Sequence, residues 1–162
     1  VNPVPQEDLD CIERQLGRTP RDVHGIAYRC PCGKPAVVET NPRLADGTPF
    51  PTFYYATCPK LTGAISTLET TGMMGDMNAR LATDPELSGA YSAAHEDYLA
   101  ARAALNVDVP EIEGITAGGM PDRVKCLHSL VAHSLSAGPD VNPLGDEALA
   151  ALPQWWKNEP CE

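Results

Sequence analysis

The sequence predicts an α+β domain, a small three-stranded antiparallel meander packed by about five helices, and three observations carry that prediction. Three short β-branched and aromatic runs follow one another between Pro and Gly clusters. After residue 59 the apolar spacing changes to threes and fours, the helical period. The chain has 162 residues, the size of one ordinary folding unit, so residues 1–162 are read as a single domain.

The first element is a helix over residues 6–16, with Leu9, Ile12 and Leu16 on one face, Pro5 before it and Gly17 after it. Cys11 falls off that stripe and is expected at or near the surface. Strands follow at residues 23–29, 36–40 and 52–57. The first connection is Cys30-Pro31-Cys32-Gly33-Lys34, and the second is the longer loop of residues 41–51. Pro59 suits a first helical position, where its missing N–H costs nothing, and Leu61, Ile65 and Leu68 share the face of that helix. A shorter helix covers residues 73–82, with Met73, Met74 and Met77 as core filler. Asp84 and Pro85 open a longer one, in which Leu87, Tyr91, Ala94, Tyr98, Ala101 and Leu105 repeat at four and three. Residues 106–121 are turn-rich, Asp122 is expected to cap a helix running to Ala137, and Gly138 closes it. A short helix over residues 146–152 and a tail over residues 153–162 complete the chain. The tail is expected to fold back, pinned by Trp155 and Trp156.

Twelve Lys and Arg against twenty-two Asp and Glu give a net charge of -10, which excludes nucleic acid and anionic membranes as natural partners. No apolar run reaches the length of a membrane span, and residues 1–10 lack the basic start and apolar stretch of a secretory signal. A cytoplasmic location follows as the expectation. Six cysteines in a reducing compartment are more often buried, metal-bound or reactive than cross-linked, so their placement becomes the main question.

In an antiparallel meander the end of the first strand, the start of the second and the end of the third share one edge. Cys30, Cys32 and Cys58 therefore gather there. Cys126 sits at the start of a later helix, where free N–H groups favour a thiolate, and Cys161 closes the set if the tail returns. Converging thiolates suit zinc or an iron-sulfur cluster. Ordinary burial of free cysteines is the competing reading.

Cys126 has an enzymatic reading too. Beside Arg123 and Lys125, and after Gly118-Gly119, its pKa is expected to fall, with His128 or His133 as base. On a continuous helix, however, His133 lies about 10.5 Å along the axis from Cys126, and His128 is turned roughly 200° away. Arg123 and Lys125 at the same helix start are candidates for holding a phosphate or carboxylate. His95, Glu96, Asp97 and Tyr98 supply acid-base residue types but are expected to form a solvated polar face.

Several motifs together resemble the bacterial domain-of-unknown-function family 501. They are Gln15-Leu16-Gly17-Arg18, Tyr28-Arg29-Cys30-Pro31, residues 46–52, Thr57-Cys58-Pro59, residues 95–98, residues 123–128 with Ala132-His133, and Asn142-Pro143-Leu144-Gly145. The likeness spans roughly residues 6–161. It implies a bacterial, mainly actinobacterial protein without an established activity, encoded near enolase, a septum-formation initiator and an exopolyphosphatase-like protein. A partner among division proteins, and a role as an interaction module, are what that neighbourhood implies. The family pattern places cysteines at Cys30, Cys58, Cys126 and Cys161, and Cys11 and Cys32 lie outside it. The leading expectation is thus a cytoplasmic metal-binding protein with Cys30, Cys58, Cys126 and Cys161 holding zinc or an iron-sulfur cluster, and His128 and His133 supporting or replacing a ligand. The alternative is a thiol-dependent enzyme using Cys126, with His128 or His133 as base and Arg123 and Lys125 orienting a small acidic or phosphorylated substrate.

Overall fold

A computed structural model describes residues 3–158 and 161–162. Helix α1 (Gln6–Leu16) ends where Gly17 turns left-handed (φ 73°) and its N–H closes on the Glu13 carbonyl. Strands β1 (Val23–Arg29), β2 (Pro35–Thr40) and β3 (Tyr54–Ala56) form one antiparallel sheet in sequence order, with β2 at the centre. Arg29 pairs with Pro35 and Val37 with Ala56. That register puts the β1–β2 turn and the exit of β3 at one edge of the sheet, as the meander predicts. The turn itself is closed by two bonds, Cys30 N–H to Lys34 O and Gly33 N–H to Cys30 O, with Gly33 at φ 92°.

Helix α2 (Pro59–Glu69) starts immediately after the sheet, and α3 (Met73–Thr83) and α4 (Pro85–Ala103) follow. Asp84 caps α4 by accepting from the N–H groups of Glu86 and Leu87, while Pro85 occupies the first helical position. A single 3-10 turn at Pro110–Ile112 interrupts the loop that leads to α5 (Leu127–Ala137) and α6 (Pro143–Ala150). Helix α5 lies innermost: Leu127, Leu130, Val131, Ala132, His133 and Ser134 are all buried, and it touches α6, β3 and α2. Tyr98 ties α4 to the sheet, its hydroxyl accepting from the N–H groups of Phe53 (2.7 Å) and Tyr54 (3.2 Å). Trp155 is buried and Trp156 packs against the core, so the tail does fold back.

Four expectations change. Helix α5 begins at Leu127, not at Asp122. The preceding stretch is held extended by reciprocal bonds between Val124 and the Asn78 amide, and by Lys125 N–H to Gly118 O. The last helix starts earlier, because Asn142 caps it through Gly145 N–H and Pro143 opens it. Cys11 is buried, and so is His95, whose Nδ1 lies 2.9 Å from the Thr116 hydroxyl inside the fold.

Helices α5 and α6 meet through Gly145, where any Cβ would overlap the Leu130 carbonyl and the Ser134 hydroxyl. Gly145→Ala is therefore expected to destabilise the fold by about 2 kcal/mol or more. Gly63→Ala, at an exposed and open position of α2, is expected to stabilise it by about 0.5–1 kcal/mol. Urea unfolding of the two variants checks the pair, and equal effects would contradict the packing described.

Candidate metal centre and a second thiol site

The edge of the sheet gathers sulfur from three segments. Cys30 and Cys32 come from the β1–β2 turn and Cys161 from the returning tail, and their Sγ atoms all lie within 4.8 Å of one another. Cys30 Sγ and Cys161 Sγ are 3.4 Å apart, with no disulfide between them. Cys30 and Cys161 are buried, while Cys32 is exposed. This triad is close enough to hold a metal ion. Cys58, buried at the cap of α2 where its sulfur faces Leu61 N–H at 3.5 Å, lies outside that triad but near enough to raise the proton affinity of Cys161.

Gln15 positions this edge. Its amide nitrogen donates to the carbonyls of Pro35 (2.8 Å) and Cys161, and its amide oxygen accepts from the Thr57 hydroxyl (2.7 Å). One side chain of α1 thus clasps the start of β2, the end of β3 and the tail. Glu162 adds a second fastening, bridging to Arg14 and Lys34 at 3.1 Å each and accepting from the Cys11 thiol. Those partners, Arg14 foremost, hold the Glu162 carboxyl down to about 2.

The thiols at the edge differ in their proton affinity. Burial, followed by contact with Cys30, Cys32 and Cys58, pushes Cys161 well above an ordinary thiol. Burial also raises Cys30. Burial acts on Cys32 in the same sense, but the Lys34 N–H and the thiols of Cys30 and Cys161 donate to its sulfur and bring it below the usual value. The Cys32 N–H in turn points at the Cys30 sulfur. Backbone N–H groups directed at sulfur favour the ionised form, the form a metal takes.

Cys126 is placed elsewhere. It belongs to a separate group with Glu69 and His128, again with all ligand atoms within 4.8 Å. The meeting of Cys126 with His128 differs from the helical-wheel expectation for a physical reason. Cys126 is the extended cap of α5 (φ -153°, ψ 119°), so no 100° step separates it from the helix. Glu69, at the far end of α2, carries no sequence pattern linking it to Cys126; it accepts from Leu127 N–H at 2.9 Å and lies 3.3 Å from His128 Nδ1.

His133 is not brought to either group of thiols. It is fully buried beneath Tyr54 and Tyr98, with Nε2 2.9 Å from Asp97 Oδ2 and Nδ1 accepting from the Asn142 amide at 3.2 Å. Arg123 and Lys125 face a different cavity of about 600 Å³, built from the turn-rich loop. The loop's own carbonyls take its N–H groups: Asp122 and Arg123 both donate to Gly119 O, and Lys125 to Gly118 O. The helix-start anion site expected there is therefore not formed by those N–H groups.

The two histidines are poised in opposite directions. Contact with Cys126 outweighs burial and, with Glu69, lifts His128 to about 9. Burial outweighs Asp97 and lowers His133. A proton on His128 thus stabilises the fold fully below about pH 6.5, and that contribution is lost as pH rises through about 9. For His133 the sign reverses: the fold favours the neutral ring, so its contribution is lost as pH falls through the unfolded value of about 6.5. Nitrogen-detected NMR titration is expected to show His128 still protonated at pH 8 and His133 neutral at pH 6.5. The reverse order would contradict both environments.

The family described as protein of unknown function (DUF501) matches residues 26–150, more than three quarters of the chain. The chain belongs to that family. No curated protein and no solved structure matches the chain. No helix among the described residues is long and apolar enough to cross a membrane.

Proposed function

We propose that this DUF501 protein binds one zinc ion through Cys30, Cys32, Cys58 and Cys161, and that the ion fastens the tail to the sheet edge. The observation that carries the reading is the mutual approach of three sulfurs drawn from a turn and a tail 129 to 131 residues apart in sequence. Around zinc, with Zn–S about 2.3 Å, the edge of a sulfur tetrahedron is about 3.8 Å. The 3.4 Å separation of Cys30 and Cys161, and the 4.8 Å limit on the triad, bracket that edge. An iron-sulfur cluster distributes its thiolates over more than one iron and asks for a wider set, so a single ion fits better.

Cys58 supplies the fourth ligand. Its thiol acts on Cys161 from nearby, and its bond to Leu61 N–H is long enough to yield as the side chain turns inward to join the triad. Four protein thiolates fill the coordination of zinc, leaving no open position, so the ion is structural. Cys32 replaces Cys126 in the ligand set expected from the sequence, since Cys126 is engaged with His128 and Glu69. Thiolates of this kind persist in a reducing compartment, which supports a cytoplasmic setting.

Elemental analysis of protein prepared with zinc and reductant is expected to give one zinc per chain. Cys161→Ser and Cys32→Ser are each expected to weaken zinc binding by roughly 100-fold or more, since even the loss of a group supporting a ligand costs about 10- to 100-fold. Cys126→Ser is expected to leave affinity unchanged. A metal-free protein, or loss of the zinc with Cys126→Ser but not with Cys32→Ser, would overturn the assignment.

A further inference from the structure

The second thiol lies in a cleft, and the contacts of its histidine partner favour the protonated ring. His128 Nε2 lies 3.2 Å from both the Thr62 carbonyl oxygen and the Ser66 hydroxyl; the carbonyl only accepts, so a proton on Nε2 satisfies it. His128 Nδ1 is 3.3 Å from Glu69 Oε2, and that oxygen already accepts Leu127 N–H as a carboxylate does. A proton on Nδ1 makes that approach an ion pair. His128 is then an imidazolium, with Cys126 sulfur within 4.8 Å of its ring. The sulfur also receives the backbone N–H and the hydroxyl of Ser129 from the first turn of α5.

Cys126 and His128 open onto a cleft of about 500 Å³ whose floor and walls come from β3, α1 and the start of α2. Among the described residues that line it there is no Lys, Arg, Asp or Glu; the polar groups are hydroxyls and one amide, beside Tyr54, Tyr55 and Leu16. Beyond the Cys126–His128 pair, whose opposite charges offset each other, a charged ligand would find no counter-charge on those walls, whereas an uncharged one meets hydroxyls and apolar rings.

We propose that Cys126 is a nucleophilic thiolate, with His128 as its acid-base partner and Glu69 as the positioning residue, acting on an uncharged acyl ester or thioester bound in this cleft. The sulfur adds to the carbonyl carbon and an S–C bond forms. The C–O or C–S bond to the leaving group breaks, and the departing oxygen or sulfur takes a ring proton of His128. Water, giving a proton back to the His128 ring, hydrolyses the thioester and restores the thiolate. The imidazolium and the Ser129 donors outweigh burial at Cys126 and hold its pKa below the ordinary thiol value, in keeping with this role. The substrate class differs from the acidic one expected from Arg123 and Lys125, because those residues face another cavity.

The test uses the intact zinc-loaded chain with p-nitrophenyl acetate as an uncharged acyl probe near neutral pH. The expected result is a burst of about one p-nitrophenolate per chain and an acetyl group located on Cys126 by peptide mass spectrometry. The initial rate is expected to exceed that of the same chain in denaturant by tenfold or more, a comparison that needs no variant. His128→Asn is expected to lower the burst rate at least tenfold, and Cys126→Ser to remove the acetyl adduct. Acetylation no faster than in denaturant, or directed to another cysteine, would overturn the proposal. So would a second equivalent of zinc that disappears with His128→Asn, since that result makes the three side chains a metal site. Loss of zinc from Cys161→Ser bears on the sheet-edge centre alone, so the two readings fail separately.

Discussion

Four thiols crowded at one edge of a sheet cannot all lose their protons unless a cation stands among them, and the local structure is arranged around that constraint. Each thiolate left unpaired in a buried place raises the cost of the next. Burial and the neighbouring thiols spread the proton affinities of the cluster apart, raising Cys161 and Cys30 while donors to its sulfur lower Cys32. The rest of that edge braces the cluster: Gln15 clasps three segments at once, and Glu162 locks the end of the tail between Arg14 and Lys34. These surface bridges are individually weak, so they orient the tail more than they stabilise it.

Helix α2 links the two thiol sites. Its cap, Cys58, stands at the sheet edge, while its Thr62 carbonyl and its last residue, Glu69, face His128. The separation matters chemically. At the sheet edge, burial and neighbouring sulfur raise the proton affinity of Cys161; at the start of α5, an imidazolium and helix-end donors outweigh burial and lower that of Cys126. The same residue type is thereby suited to hold a metal in one place and to react in another.

Much of this was legible in the sequence, and the omissions have physical causes. The meander and the edge shared by Cys30, Cys32 and Cys58 follow from antiparallel order, which the register of β1 to β3 bears out, and the return of the tail follows from Trp155 and Trp156. The entry to α6 was also readable, because Asn142 followed by Pro143 is a cap and first-turn signal, although the short helix was expected three residues later. The start of α5 was not readable: Asp122 resembles a cap, and only the tertiary bonds of Asn78 to Val124 keep that stretch extended. Treating Cys126 as helical then set His128 on the wrong side of it. Glu69 had no signal at all, since 57 residues separate it from Cys126 and no periodicity joins them. Cys32 was passed over because the family resemblance does not include it, while its place in a five-residue turn opposite Cys30 made it the nearest available sulfur.

X-ray absorption at the zinc edge reads the composition of the sheet-edge centre directly. Four sulfur scatterers at about 2.3 Å, with no light-atom neighbour in the first shell, is the result expected of a closed four-thiolate site. A shell containing nitrogen or oxygen at about 2.0–2.1 Å, which His128 or Glu69 would supply, would put the ion at Cys126 and contradict the central claim.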